Sequence, residues 1–451
     1  MSGLPRGWVE ATIDQIVGSD NNSLADGPYG SKLKSSHYTG SGVRVIRLGN
    51  IGRGKYLSST DAFISESYFE ELRNHEVLEG DIVIAALGDP IGRCCLVPIK
   101  MLPAIVKADC FRIRLGNAIE AKFFVNWMNS EIAARSLSEQ AHGVGRLRIN
   151  LSDLRQMKLP LPPLAEQKRI VAKLDALNAK STRARAELAR IETLVSRYKQ
   201  AVLSKAFSGE LTSSNTPKWF PITLGELAID VRYGTAEKCT YAPELTPVLR
   251  IPNVVHGRID LADLKHAAFN KKELQKLALV EGDLLVIRSN GSVDLVGRSA
   301  LVDAAAAGML FAGYLIRIRL DLTKTAPSFI QRWMQSIEVR HKIEGAAKST
   351  SGVNNVNSQQ LQALQLKLPP LPEQHEIVRR IESAFARIDR LATDAKRALE
   401  LLDKLDEAIL AKAFRGELVP QDPTDEPAHL LLERIRAERA AAPKAKRGRK
   451  R

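Results

Sequence analysis

The chain has 451 residues, enough for two or three domains with a core each. Its 66 Lys and Arg outnumber its 51 Asp and Glu, giving a net charge of +15 and a pI near 9.6, a balance that favours a polyanionic partner. No apolar run reaches membrane-spanning length, the first ten residues lack the apolar stretch of a secretory signal, and Cys94, Cys95, Cys110 and Cys239 show no zinc-type pairing with His, so the expectation is a cytoplasmic protein with reduced thiols and no membrane partner.

In chain order, a Trp opens the first unit in RGWVEATIDQI at Trp8, and a Tyr-Gly loop, PYGSKLKSS, follows around Tyr29. VIRLGNI (45–51) and LEGDIVIA come next, the latter placing Asp81 at a turn before a strand-like run. Short Val- and Ile-rich segments broken by Gly, Asn, Asp and Pro predict short strands, and FRIRL (111–115) alternates as a half-buried strand does. FFVNWMNSEIAARSL predicts helix with Trp127 in the core, and a polar loop, HGVGRLRINLSDL (142–154), closes the unit.

A stretch at 159–211 then begins LPLPPLAEQKRIVAKLDAL and ends LSKAFSGEL. No Gly or Pro interrupts it between Glu166 and Phe207, and apolar or small residues recur in a 4-3 rhythm through Ile170, Leu174, Leu177, Ser181, Ala184, Leu188, Ile191, Val195, Tyr198 and Val202. That is the seam of a coiled coil, with the Pro pair at its entrance and Gly209 at its exit. At ~1.5 Å per residue such a helix spans roughly 60 Å. A stripe that long and narrow needs a partner.

The whole order then repeats. A second unit opens at Trp219 (PKWFPITLGEL) and carries RYGTAEKCT around Tyr233, VLRIPNV (248–254), VEGDLLVIRS with Asp283, LIRIRL (315–320), FIQRWMQSIEVRHKI with Trp333, and the polar loop STSGVNNVNSQQL (349–361). A second long stretch at 366–418, LKLPPLPEQHEIVRRIESAF to LAKAFRGEL, matches the first at one constant offset, with Gly416 at its exit. Its seam runs through Ile377, Ile381, Ala384, Ile388, Leu391, Ala395, Ala398, Leu402, Leu405 and Ile409. The expected division is therefore 1–158, a long helix at 159–212, a second unit at 213–365, a second long helix at 366–419, and a linker, short amphipathic helix and basic tail at 420–451. The fold class is α+β: two mixed α/β domains separated by two long antiparallel coiled-coil helices, an internal duplication with an approximate two-fold relation.

No catalytic constellation stands out. There is no Walker A loop, no metal-binding cysteine pair and no glycine-rich cofactor loop; Gly49, Gly52 and Gly54 in GNIGRG read as a turn. Asp81 and Asp283 read as turn residues rather than nuclease metal ligands, since neither strand carries the acid-x-Lys partner such a site needs. The loops instead offer groups that bond base edges and phosphates: Ser31, Lys32, Lys34, Arg146 and Arg148 in the first unit, and Thr235, Lys238, Arg288, Asn290, Lys348, Ser351, Asn354 and Asn355 in the second. Arg pairs with guanine and Asn with adenine in the major groove, while Lys holds phosphates. Ile170, Leu174, Leu188, Ile191, Ile377, Ile381, Leu402 and Leu405 are the expected helix and partner interface.

The duplicated PPL-x-EQ-x-x-IV entrance, the KAF-x-GEL exit and the paired loops resemble those of type I restriction-modification specificity subunits, over nearly the whole chain. That resemblance implies two target recognition domains, each reading one half of a split site in double-stranded DNA. It implies two helices that space the domains and dock modification (methyltransferase) subunits, which bind S-adenosylmethionine and methylate adenine. Restriction (translocase and nuclease) subunits would add ATP- and Mg-dependent translocation and cleavage, with no cofactor on this chain. The unlike loops, GRLR against GVNN, imply an asymmetric target. A coiled-coil scaffold without a DNA role, or a nuclease or methyltransferase acting alone, are the competing expectations.

Overall fold

The computed structural model describes residues 3–20, 22–58, 61–117, 119–141, 147–212, 219–255, 257–347 and 352–441. Arg146, Lys348, Ser351 and the basic tail lie outside the described residues. The chain forms two compact units, Met1–Glu187 with Ala398–Arg451, and Leu188–Arg397, so the division falls inside both long helices. No helix among the described residues is long and apolar enough to cross a membrane.

In the first unit an antiparallel ribbon pairs Val9–Thr12 with Lys158–Leu161 and so ties the start of the recognition fold to the entrance of the first long helix. A four-stranded sheet runs in the order Leu24–Asp26, Cys110–Ile113, Ile82–Ala85, Cys94–Leu96, beside a five-stranded sheet that includes Val43–Ile46 and Ala104–Val106. Helices Ala121–Met128 and Glu131–Gln140 cover the first sheet, and Phe123, Phe124 and Trp127 fill the core between them. The chain's last described helix, Ala428–Ala441, packs Leu431, Leu432 and Ile435 into this same core. Its Arg439 donates to the carbonyls of Asp14 and Val17 at 2.6 and 2.7 Å, satisfying acceptors that the short helix Ile13–Ile16 leaves open.

The second unit is built the same way. Its ribbon pairs Phe220–Thr223 with Gln365–Leu368 in the register of the first, Phe220 opposite Leu368 as Val9 is opposite Leu161. A six-stranded sheet contains Ala228–Tyr233, Leu315–Leu320, Leu284–Ile287 and Ser299–Leu301 in that order, with helix Pro327–Met334 and the buried Trp333 on it. The strands read as half-buried are in fact covered on both faces. Every residue of Cys110–Ile113 is buried, including Arg112, and Arg317 is equally enclosed. Both guanidiniums find carbonyl or carboxylate partners there: Arg112 donates to the Asn22 carbonyl, and Arg317 to Asp230 and the Ala278 carbonyl.

The long helices are Leu164–Ser208, 45 residues, and Leu371–Phe414, 44 residues. Each starts just after its Pro pair and is followed by a glycine in the left-handed region, Gly209 at φ 89° and Gly416 at φ 74°, where a side chain would be strained. The Gln of each EQ pair is fully buried. Gln167 accepts the Glu120 N–H at 2.8 Å and donates to the Pro162 carbonyl at 2.9 Å, and Gln374 accepts the Ala326 N–H at 2.9 Å and donates to the Pro369 carbonyl at 2.9 Å. Glu120 and Ala326 are the N-caps of the two sheet-covering helices, so one side chain locks each long helix to its recognition fold. The KAF exits dock by an aromatic edge: Phe414 against Phe123 at 5.5 Å in the first unit, Phe207 against Phe329 at 5.3 Å in the second.

Within each unit the two helix segments pair antiparallel. In the first, Ser181 donates to Asp406 at 2.7 Å and Arg185 to Asp403 and Asp406 at 2.8 and 2.6 Å; in the second, Lys199 meets Asp389 at 2.5 Å. Ile170, Leu174, Ile377 and Ile381 are fully buried, and Leu188, Ile191 and Leu402 are half-buried. The expected seam fails at three places: Tyr198 is 64% exposed, Leu391 62% and Leu405 49%. A helix of 3.6 residues per turn drifts by ~20° per heptad against a strict seven-residue repeat. The buried line accordingly steps from Val195 to Lys199 and Leu203, and from Leu402 to Asp406 and Leu410, leaving Tyr198 and Leu405 outside it.

Candidate nucleic-acid interface

In each unit three separate stretches of chain converge beyond the end of a central strand. After strand Ile82–Ala85, the Ala86 N–H donates to the Asp109 carbonyl at 2.9 Å, and the Ala86 carbonyl accepts the Ile149 N–H at 3.0 Å. After strand Leu284–Ile287, the Arg288 N–H donates to the Tyr314 carbonyl at 2.9 Å, and the Arg288 carbonyl accepts the Val356 N–H at 2.8 Å. Buried Ile149 and Val356 anchor the pre-helix loops at this point. Leu87 bridges Arg148 in the first unit as Ser289 pairs with Asn355 in the second. One main-chain frame thus carries two different sets of side chains.

The Tyr-Gly loops complete each edge. In the first unit the Arg148 guanidinium stands 5.9 Å from the Tyr29 ring centre and bonds Asp109 at 2.8 Å. In the second, the Arg288 guanidinium lies 4.5 Å from the Tyr233 ring centre and its Nε donates to the Asn355 amide oxygen at 3.3 Å. Tyr233 is itself held, its hydroxyl accepting the Ser358 N–H at 2.9 Å and lying 3.1 Å from the Ser358 hydroxyl. Burial pushes the Tyr233 phenol up, but the Ser358 bonds and the Arg288 charge outweigh it and leave it below the usual phenol value. Tyr29 is shifted the other way, by burial and then by Asp26. A cation held over a ring loses little side-chain freedom on meeting a further partner, which favours a rigid, donor-rich contact.

The expected contact residues separate by what already holds them. Arg148, Arg288 and Asn355 are presented at these edges. Asn354 and Asn290 sit beside them but are engaged in the loop's own structure: the Asn354 amide donates to the Gly291 carbonyl at 3.0 Å, and the Asn290 side chain accepts the Ser292 N–H at 2.9 Å. Thr235 also serves a turn, accepting the Glu237 N–H at 3.0 Å. Lys32, Lys34 and Lys238 are exposed, and the Lys32 carbonyl takes the Tyr68 hydroxyl. Ser31 lies in the short turn Gly30–Lys32. Sequence reasoning passed over Asp109 and Tyr314, which no motif marks. The repeated Tyr-Gly pairs are visible in the sequence, but the rings' place under Arg148 and Arg288 is not.

The two acids of the LEGD and VEGD turns are occupied structurally. Asp81 accepts the Leu78 N–H at 2.8 Å and both Nε and Nη2 of Arg114 at 2.8 Å; Asp283 accepts the Val280 N–H at 2.9 Å and the same two nitrogens of Arg319 at 2.7 Å. Both carboxylates are buried, and this forked pairing is the strong form of a charge-assisted bond. Asn50 and Asn253, in the repeated VIRLGNI and VLRIPNV segments, are likewise buried turn-holders, each accepting the N–H three residues earlier. Cys95 and Cys110 are buried free thiols whose pKa burial pushes up to about 12.

The type I restriction modification DNA specificity domain matches this chain twice, at residues 6–193 and 218–401. The chain is 31% identical over 470 residues to the type I restriction enzyme EcoKI specificity subunit of Escherichia coli strain K12, covering 99% of this chain and 98% of that one. Its fold is similar to a chain from a structure of type I R-M system assembly and conformational transition, with a TM-score of 0.68 at 20% identity over 92% of this chain and 99% of that one. It is also similar to the HsdS subunit of Thermoanaerobacter tengcongensis, with a TM-score of 0.62 at 20% identity over 92% and 98%. The chain belongs to the type I restriction modification DNA specificity family, as a non-catalytic specificity subunit with two DNA-recognition domains.

Proposed function

We propose that each recognition fold reads one half of a bipartite, asymmetric target in double-stranded DNA through the strand-end edge just described. The observation that carries this reading is the shared main-chain frame with unlike side chains: Leu87, Asp109 and Arg148 on one, Ser289, Tyr314 and Asn355 on the other. A frame kept while its presented groups change is what a pair of readers for two different sequences requires, since base edges are distinguished by their donor and acceptor pattern. Lys32, Lys34 and Lys238, exposed on the flanking loops, supply the phosphate contacts that fix register. The two uninterrupted helices set the gap between half-sites.

The helices also dock the modification subunits. A partner that docks alike on both halves of the duplication must bind features that the halves share. The clefts beside the helices do not qualify, because their charge differs: Asp175, Asp403, Asp406 and Glu407 against Arg53, Lys122 and Arg185 in the first unit, but Arg258, Arg298, Arg332, Arg340 and Lys199 against Glu382 and Asp389 in the second. The outward stripe does qualify. Leu194, Arg197, Tyr198 and Lys205 on the first helix correspond to Leu401, Lys404, Leu405 and Lys412 on the second, all exposed. An exposed apolar line flanked by cations suits a partner helix with an apolar and acidic face. S-adenosylmethionine, ATP and Mg belong to the modification and restriction subunits in this scheme.

Selection of a randomised duplex library on the full chain tests the reading. Two short sequence blocks at a fixed separation are expected, with Arg148→Ala altering one block and Arg288→Ala with Asn355→Ala altering the other. Uniform enrichment, or both sets of changes striking the same block, would overturn it.

A further inference from the structure

We propose that Arg148 and Asp109 act as a single reader of one G·C base pair in the first unit's half-site, Arg148 donating to guanine O6 and N7 and Asp109 accepting from the cytosine N4 amino group. This rests on the strand-end edge facing DNA and assigns a specificity role to Asp109.

Three observations converge on Asp109. Among the described residues it is the one non-glycine with a positive φ, 67°, a conformation that glycine adopts freely and that Asp and Asn tolerate better than other residues. Its carbonyl receives the Ala86 N–H, so the frame fixes the backbone there whatever the side chain. A carboxylate at such a position is not needed for the turn. Second, that carboxylate bonds Arg148 through one oxygen and one guanidinium nitrogen, with both side chains only part-covered, at 46% and 31% exposure. The pairing occupies one carboxylate oxygen and one guanidinium nitrogen, and Arg148 also bonds the Tyr29 hydroxyl, so others of its five N–H groups remain to donate next to a carboxylate that has a second oxygen. Third, the corresponding position of the second unit holds exposed Tyr314, and Asn355 stands where Arg148 does, so the frame does not demand an ion pair.

In the major groove a G·C pair shows two acceptors on guanine beside one donor on cytosine, and an A·T pair does not repeat that order. Donors and an acceptor locked next to each other match the first pattern. An A·T pair would set the thymine O4 or methyl group against the carboxylate, an unpaired and repelled contact.

The test compares the full chain with Asp109→Asn, Asp109→Ala and Arg148→Ala on a randomised duplex library, reading base frequencies at each position. Asp109→Asn keeps a residue tolerant of positive φ and guards against loss of the turn. The wild type should enrich one invariant G·C pair in one block. Asp109→Asn and Asp109→Ala should each lower the preference for cytosine on the second strand by about tenfold or more, and Arg148→Ala should relax the same base pair. The other block should stay as it was. Unchanged base frequencies in both Asp109 variants, with two blocks still enriched, would overturn the paired reader while leaving DNA recognition by this edge intact. A wild type that enriches no sequence would instead remove the reading on which the proposal rests.

Discussion

The fully buried side chain of Gln167 reaches from the first turn of a long helix to the backbone N–H of Glu120, the cap of the helix on the recognition sheet, at 2.8 Å. Gln374 repeats the bond with Ala326 at 2.9 Å. The glutamine is therefore the rigid joint between reader and rod. Gln167→Ala would leave a part-buried donor on Glu120 and a buried acceptor on Pro162 unpaired, at about 1–3 kcal/mol together. Hydrogen exchange at Glu120 should become fast in that variant while Ala326 stays protected, and equal protection at both sites would show that the joint does not depend on this side chain.

Asp230 is held down to about 2 from 3.8, first by its bond from Arg232 and, against the opposing effect of burial, by Arg317 and the two charges. A depressed carboxylate stabilises the fold fully above its unfolded value, and that share is lost as pH falls through the folded value. The second unit should therefore lose a small part of its stability between about pH 4 and pH 2, small because Asp230 stays in contact with solvent. Asp230→Asn should flatten that limb of the melting-temperature profile. An unaltered acid limb in the variant would place the loss elsewhere.

Much of this architecture was legible because the duplication supplies its own control. The Pro pair, the EQ pair, the KAF exit and the glycine each recur at one offset, and each has a local physical role that a sequence can display. The seam was legible only in part. A strict seven-residue count assigns Tyr198 and Leu405 to the buried line, and the accumulated drift of a real helix hands those places to Lys199 and Asp406. The edge was half legible: Arg148 and Asn355 lie in loops whose polarity marks them. Asp109 lies in KADC, where nothing announces a left-handed backbone or a partner 39 positions away. The arginines of FRIRL and LIRIRL misled in the opposite direction, since alternation suggests a wet face and the carboxylates and carbonyls that enclose Arg112 and Arg317 come from distant segments.

The polar contact of Ser181 and Arg185 with Asp406 sits where the coiled coil would otherwise be apolar. Such groups contribute little net stability against a well-packed apolar pair but restrict register. Asp406→Ala alone should lower the melting temperature, because it leaves the Ser181 hydroxyl and one Arg185 bond without an acceptor. Ser181→Leu with Asp406→Leu should restore it to the wild-type value or above. A double variant less stable than Asp406→Ala would mean that the polar contact itself stabilises the pair.

Removing residues 188–194 and 395–401 together takes one heptad from each helix and leaves the Ser181–Asp406 and Lys199–Asp389 contacts intact within their units. The rods shorten by ~10 Å, equivalent to about three base pairs of duplex. A heptad turns a helix face by only ~20°, whereas three base pairs rotate the duplex by roughly a quarter of a turn or more, so distance and phase cannot both be matched by the shortened rods. Library selection on the variant should therefore recover both half-site blocks at a shorter gap and with weaker enrichment than the full-length chain. If helix length did not set the gap, the variant would enrich the same two blocks at the original separation, and flexibility near the joints at Gln167 and Gln374 would have to absorb the missing length.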